Sequence, residues 1–442
     1  MRAVALRVLL LLLTSVPALH GARHFSTRGD GVHRCASAAD QRVNCTRCAP
    51  GWRGLQCNVP VFVAPCTPHH CLDWSRCPWG QPLTLHVHAP PPTREAEYVQ
   101  AKHSHVWRDI LRALTDSPRH VTDASLACLL VPWMDTLCTS NDCTSPSIDS
   151  PKADWLVRAV EQLPLWQGGT NHVLFDMSSN HAPRLPVGRG IYMATSFWAA
   201  GTSYRHGHDQ PLPLWNQQWE RFLSADAARA RRARARSRLL VFKGQRMFWC
   251  SSCAPHDLAV ALKQSEEPVA LTHGWVRNQL HLLHNGRDVV TVGTCARELK
   301  SSKHCDGACR ARCRRDALVS NATHFHSLLC DSAFGLVLPG ITPMSYRLAE
   351  TMACGAVPVI VSDFMRLPLP HVVDWPSLSF TFPERMLARV PELLRAVPAE
   401  EVHAMRLRVS DAYERCFASP GRTALCGIED LERQLWQSSA TG

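Results

Sequence analysis

The chain has 442 residues, 45% of them hydrophobic, and a formal net charge of +11 from 48 Lys+Arg against 37 Asp+Glu. That length and apolar content suffice for two sizeable cores, so two lobes plus a small module is the natural division. The positive balance suits an anionic ligand and an ordinary basic surface alike, and the secretory features described next argue against a nucleic-acid partner.

Arg2 and Arg7 flank an apolar run from Val8 to Leu19, and the small residues Gly21 and Ala22 follow. A run of ~12 residues is short for ~30 Å of hydrocarbon, so residues 1–22 read as a cleaved signal peptide, or else a short membrane anchor. No later segment is long and apolar enough to span a bilayer. Twenty cysteines and the sequons Asn44-Cys45-Thr46 and Asn321-Ala322-Thr323 fit an oxidising lumen. Residues 35–77 form a cysteine-dense module, and Cys48 to Cys57 (CAPGWRGLQC) resembles the closing turn of an EGF-like repeat. The resemblance implies a small stapled spacer, with a binding role as the alternative.

Residues 83–238 alternate strand-like and helix-like patterns: strands at Leu83–Val87, Ala127–Val131 and His172–Phe175, helices at Val106–Leu114 and Trp155–Leu163. Residues 239–398 repeat the alternation, and Ala399 to Gln437 reads as helices. Together they predict an α/β chain with parallel sheets covered by helices on both faces. Between the two halves lies a basic low-complexity run, residues 225–238, read as a solvated helix or linker, with capture of an acidic polysaccharide as the sharper alternative. Cys250-x-x-Cys253 and the Cys305, Cys309, Cys313 series read as disulfides rather than zinc ligands.

The most informative stretch is FGLVLPGITPMSYRLAETMACGAVPVIVSDFMRLPLPHVVD, Phe334 to Asp374. Phe334–Leu338 reads as a strand, Ser345 stands where a helix begins, Cys354-Gly355-Ala356 closes that helix, and Val357–Val361 is a second buried strand. Such a βαβ unit aims backbone N–H groups at an anion; Arg347 adds a clamp for a diphosphate and Glu350 an acceptor for ribose hydroxyls. Lys243 and Arg246, expected just after a strand at Leu239–Phe242, are placed on the opposite side of the same anion. The sequence contains no Asp-x-Asp, the carboxylate pair with which a divalent metal usually holds a diphosphate, so no metal is expected to be required and no tightly bound cofactor. Asp135, after the strand Ala127–Val131, is the candidate general base; Asp209 and His181 are rivals, although Asp209 reads better as a structural pair with Arg205.

At these residues the chain resembles exostosin-family glycosyltransferases of the GT47 type. The Ser345-x-Arg347-x-x-Glu350 arrangement, the VPVIVSD strand and LPLPHVVDW carry the resemblance, in order after ACLLVPWMDTL (Ala127 to Leu137), LPLWQGGTNHVLFDM (Leu163 to Met177), YRHGHDQPLPLW (Tyr204 to Trp215), RLLVFKGQR (Arg238 to Arg246) and HNGRDVV (His284 to Val290). It covers residues 83 to about 410. It implies two Rossmann-like lobes of the GT-B type: an acceptor-side lobe over 83–238 and a donor lobe over 239–398, with helices of 399–442 packing back across them. It further implies an inverting transferase that takes a nucleotide sugar, UDP-linked by expectation, and an oligosaccharide or glycoprotein acceptor. Location in the Golgi or ER lumen, type II-anchored or secreted, and a partner transferase follow from the same resemblance. The alternative is a non-catalytic homologue that binds glycan or stabilises a partner. Two departures concern the donor sugar: His86-Val87-His88-Ala89-Pro90 stands where the family often has Tyr-x-Tyr-Asp-Leu-Pro, and the uncharged Gly340 to Met344 replaces an arginine-rich loop.

Overall fold

The computed structural model describes residues 52–53, 59–60, 66–101, 103–137, 159–177, 187–195, 204–215, 235–246, 276–277, 279–295, 314, 316–321, 324–340, 344–363 and 365–438. Residues 1–22, expected to be a leader or anchor, the sequon at Asn44, His181, Cys250, Cys253, Cys305, Cys309, Cys313 and residues 225–234 lie outside them, as does nearly all of 35–65. Of that segment only an antiparallel ladder between Trp52–Arg53 and Val59–Pro60 is described.

The N-terminal half contains β1 (Leu85–Val87), helix α1 (His105–Thr115), β2 (Leu129–Val131), β3 (Val173–Asp176), β4 (Ile191–Ala194) and β5 (Gln210–Pro211). β1 pairs in parallel with β2, and β3, β4 and β5 pair in parallel in that order. A single parallel bridge, Leu130 to His172, joins the two groups edge to edge. The C-terminal half holds β6 (Arg238–Arg246), β7 (Val289–Cys295), α2 (Phe325–Cys330), β8 (Ser332–Val337), α3 (Arg347–Ala353), β9 (Val357–Val361) and β10 (Phe380–Phe382). Its five strands form one parallel sheet in the order β10-β9-β8-β6-β7. Helices α4 (Ala399–Ala412) and α5 (Pro420–Ser438) follow.

Strand alternation sends residues to separate cores. Val357, Val359 and Val361 pack with Leu240, Phe242 and Leu336 on one face of the five-stranded sheet, while Ile360 and Val337 join the other. That second core is shared: it also takes Val173 and Phe175 of β3, Trp107 and Ile110 of α1, Leu348 and Met352 of α3, and Phe417 and Leu431 near the C-terminus. Leu174 and Tyr192 face a third core on the far side of the N-terminal strands. Burial on both faces is why these strands read as unbroken apolar runs. At Gly335 an added Cβ would lie 2.4 Å from the Thr351 side chain, so glycine there lets α3 lie close against β8.

Helix α5 packs across onto the N-terminal half. The Gly421 N–H donates to Asp109 Oδ2 of α1 at 2.8 Å, and the Leu83 N–H donates to Glu432 Oε2 at 2.7 Å. The buried Asp430 accepts from the His371 and Val372 N–H groups at 2.7 and 2.9 Å, so the LPLPHVVDW segment anchors this helix. The same segment meets β5, with the Leu369 N–H donating to Pro211 O at 3.1 Å.

One boundary moves. Cys66, Cys71 and Cys77, grouped by sequence with the cysteine-rich module, are built into the N-terminal half. Cys77 pairs with Cys128 beside β2, Cys66 pairs with Cys71, and the Asp73 N–H donates to Asn171 Oδ1 at 2.7 Å. Covalent closure and burial, rather than sequence density of cysteine, set the edge. Two further disulfides, Cys330–Cys354 and Cys416–Cys426, staple α2 to the end of α3 and the residues after α4 to α5.

The departures at His86 and His88 produce a histidine stack. His86 stacks on His120 and lies edge-on to His88, which stacks on His172. His172 Nδ1–H donates to Thr170 O at 2.9 Å, so its Nε2 accepts from His88 Nε2–H at 3.2 Å. Burial, with neighbouring cations, pushes His88, His103, His172 and His208 each down to about 4. These groups stay neutral in the fold while the unfolded chain takes up protons below its ordinary value near 6.5. Stability is therefore full above that value and is lost as pH falls from about 6.5 towards 4, by about 1–2 kcal/mol per group at pH 5. The urea midpoint is expected to drop steeply between pH 7 and pH 5; a flat midpoint over that range would contradict it.

Candidate functional site

The carboxyl ends of β6 and β8, with the start of α3, bring cations together. Arg347 is the first residue of α3, and Ser345 Oγ accepts from its N–H at 3.3 Å. The Arg347 Nε–H donates to Lys243 O at 2.6 Å, one N–H pairs with the buried Glu350 carboxylate, and the guanidinium lies 4.3 Å from the centre of the Phe325 ring. Ser345, Arg347 and Glu350 are thus brought together as the sequence predicts. Glu350, expected to accept from ribose hydroxyls, pairs with Arg347.

Lys243 and Arg246 sit elsewhere than expected. β6 does not stop at Phe242 but runs to Arg246, because β7 supplies ladder partners as far as Cys295. Lys243 is therefore a strand residue, and its Nζ donates to Ser320 O at 2.8 Å. Arg246 is the last residue of the strand.

Arg277 completes the group and no motif announces it. It is buried, and its guanidinium donates to Pro339 O at 2.6 Å and to Leu338 O and Gln245 O at 3.2 Å, tying the end of β8 to β6. No carboxylate pairs with it among the described residues. Burial pushes Arg347 down to about 9, with repulsion from Arg277 adding, and Arg277 down to about 10. Lys243 is lowered by burial and by Arg347. Arg347 and Arg277 remain protonated at neutral pH. Gathered at one sheet edge, these cations favour an oligoanion.

In the N-terminal half Asp135 follows β2 and is bonded on both oxygens. Its Oδ2 accepts from Ser104 N–H and Oγ–H at 2.9 and 2.7 Å, and Oδ1 from the Leu137 N–H at 2.9 Å. Ser104 in turn caps α1, accepting from the Trp107 N–H at 3.1 Å. Burial outweighs these hydrogen bonds and raises Asp135 to about 6. Asp209 is a structural partner, as its spacing suggested: fully buried, it accepts from Arg205 Nε and Nη2 at 3.0 and 2.7 Å and from the Tyr192 N–H at 3.0 Å. Arg205 goes on to donate to the Gly188 and Gly190 carbonyls, closing the glycine turns beside β4. Asp176 was not singled out by sequence: it ends β3, is buried and accepts from the Tyr192 hydroxyl. Its only signal was a carboxylate at the end of an apolar strand.

These features define an α/β protein of parallel sheets with a cation-lined carboxyl edge. The Exostosin GT47 domain family model matches residues 80–397, and the chain belongs to that glycosyltransferase family. Exostosin-1 of Drosophila melanogaster is 28% identical over 387 residues, covering 84% of this chain and 45% of that protein. Exostosin-1c of Danio rerio is 27% identical over 377 residues, 84% of this chain and 46% of its own. The chain thus spans about half the length of these two relatives. The Exostosin-1 homolog of Caenorhabditis elegans is 26% identical over 372 residues, covering 82% of this chain and 88% of that protein.

Proposed function

We propose that this chain is an inverting glycosyltransferase that moves a sugar from a UDP-sugar to an oligosaccharide or glycoprotein in the secretory lumen, through two Rossmann-like lobes of the GT-B type. The observation that carries the reading is the Lys243, Arg277 and Arg347 group at the carboxyl edge of the five-stranded sheet, where α/β proteins bind nucleotides. The acceptor oxygen bonds to the anomeric carbon while the bond to the diphosphate oxygen breaks, and the electron pair leaves with the diphosphate. Arg347 and Lys243, held in place, meet that developing charge without reorganising. Ser345 and the first N–H groups of α3 lie beside it, and Glu350 fixes the Arg347 fork. With three cations and no Asp-x-Asp, diphosphate binding is independent of a divalent metal. The acceptor proton passes to Asp135. Lumenal placement follows from the leader and cysteine usage, and among the described residues no helix is long and apolar enough to cross a membrane.

Nucleotide release from a panel of UDP- and GDP-sugars, with and without oligosaccharide acceptors and with EDTA, tests this reading. Acceptor-dependent release from one donor is expected, rising with pH through about 6 as Asp135 ionises and flattened in Asp135→Asn. No release and no nucleotide binding by folded protein would instead favour a non-catalytic, partner-stabilising homologue.

A further inference from the structure

Two short helices flank β8 in the chain and meet at both ends. α2 precedes the strand and begins at Phe325; α3 follows it and begins at Arg347. At these starts the Arg347 guanidinium carbon lies over the Phe325 ring, 4.3 Å from its centre. At the other ends Cys330, the last residue of α2, is bonded to Cys354, the residue that caps α3. The two helices therefore run side by side in the same direction, joined by a ring contact at one end and a covalent bond at the other.

α2 has little of its own to hold it. Its six residues are far fewer than the ~12–15 that an isolated helix needs, and the His324 side chain makes no cap hydrogen bond. Leu329 and Cys330 are buried in the core that also takes Leu348, Met352 and Cys354, whereas Phe325 is only partly buried against it. Anchored at its far end by the disulfide, α2 presents its first residue to Arg347. The chain just before α2 reaches the second donor-side cation, since Ser320 O accepts from Lys243 Nζ at 2.8 Å.

The other restraints on Arg347 are hydrogen bonds. Its Nε–H is fixed by Lys243 O and one Nη1–H by Glu350. Such bonds lie in the guanidinium plane and leave the group free to tilt about them. A ring under the guanidinium carbon removes that freedom and attracts the cation as well. The N–H groups left over have no acceptor among the described residues.

We propose that Phe325, carried on α2 and stapled through Cys330–Cys354, is a positioning residue for donor binding that presets the Arg347 fork for a diphosphate. This role rests on the donor reading of Arg347 given above. A preset fork loses less freedom when the ligand arrives, so the effect falls on donor affinity.

UDP calorimetry and initial-rate kinetics on the full chain test it. Phe325→Leu keeps apolar volume and loses the ring; the UDP Kd and the donor KM are expected to rise about fivefold, with the acceptor KM changed less than about twofold. Phe325→Tyr, which keeps the ring, is expected to stay within about twofold of wild type on all three. Cys330→Ser with Cys354→Ser is expected to raise the donor KM and to add little in the Phe325→Leu chain, because the staple acts through that ring. Unchanged UDP affinity in folded Phe325→Leu overturns the proposal. So does an equal loss in Phe325→Leu and Phe325→Tyr, or a parallel rise in donor and acceptor KM, the pattern of packing damage. An undiminished effect of the cysteine changes in the Phe325→Leu chain overturns the part given to the disulfide. UDP binding indifferent to residue 325 sinks this role alone, whereas a wild-type chain that binds no UDP sinks the donor reading and this role with it.

Discussion

Arg347→Ala is expected to lower kcat/KM for the donor by at least about 100-fold, the scale on which losing one fixed donor to a developing oxyanion is felt. Arg347 stands between Lys243 O, the Phe325 ring and Glu350, so its fork has one orientation and loses little freedom on meeting a diphosphate. Its removal also takes the Arg347 charge away from Glu350, which is only 3% exposed. A structural collapse and a binding loss are separated by Arg347→Lys. Lysine keeps the charge and spares Glu350 but cannot form the fork, so this variant should fold like wild type and still bind UDP at least tenfold more weakly. Thermal shift with UDP and initial-rate kinetics read both effects. Unchanged UDP affinity in folded Arg347→Ala would remove this residue from the donor site.

Asp209→Ala is the substitution expected to cost most stability, about 3–5 kcal/mol. It leaves the Arg205 guanidinium buried without its counter-charge, and it removes the acceptor for the Tyr192 and Arg205 N–H groups. Arg205 also ties down the Gly188 and Gly190 carbonyls, so the turn between β3 and β4 is expected to loosen with it. Denaturant titration at pH 7.5 reads the loss directly; a change under ~0.5 kcal/mol would show that the pair is dispensable. UDP binding, proposed for the other sheet, provides a second measurement of whether the damage stays local.

Much of the fold was legible because its period is written in the residues. Val357–Val361 matches its strand end to end, since a β-branched apolar run bounded by Gly355-Ala356 and Ser362-Asp363 marks its own ends. The end of β6 was not legible. Lys243, Gln245 and Arg246 look like a loop after an apolar run, and they are held in a strand only because β7 lies alongside. Arg347 and Glu350 were readable from local spacing on one helix. Arg277 was not, because it reaches its neighbours across 62 residues of sequence to Pro339 and 32 to Gln245. The same holds for Cys77 with Cys128, a pairing set by how β2 packs and not by cysteine spacing.

By itself the sequence determined the parallel α/β class, the family, the Ser345, Arg347 and Glu350 constellation and the Arg205–Asp209 pair. Each depends on periodicity or on contacts within about a helical turn, which the order of residues fixes directly. Only the tertiary structure decided that Glu350 pairs with Arg347, that Arg277 adds a buried cation with no carboxylate partner among the described residues, and that the Phe325 ring lies against the Arg347 guanidinium. Those outcomes depend on which distant side chains compete for the same partner, and that competition is resolved only when the chain has packed.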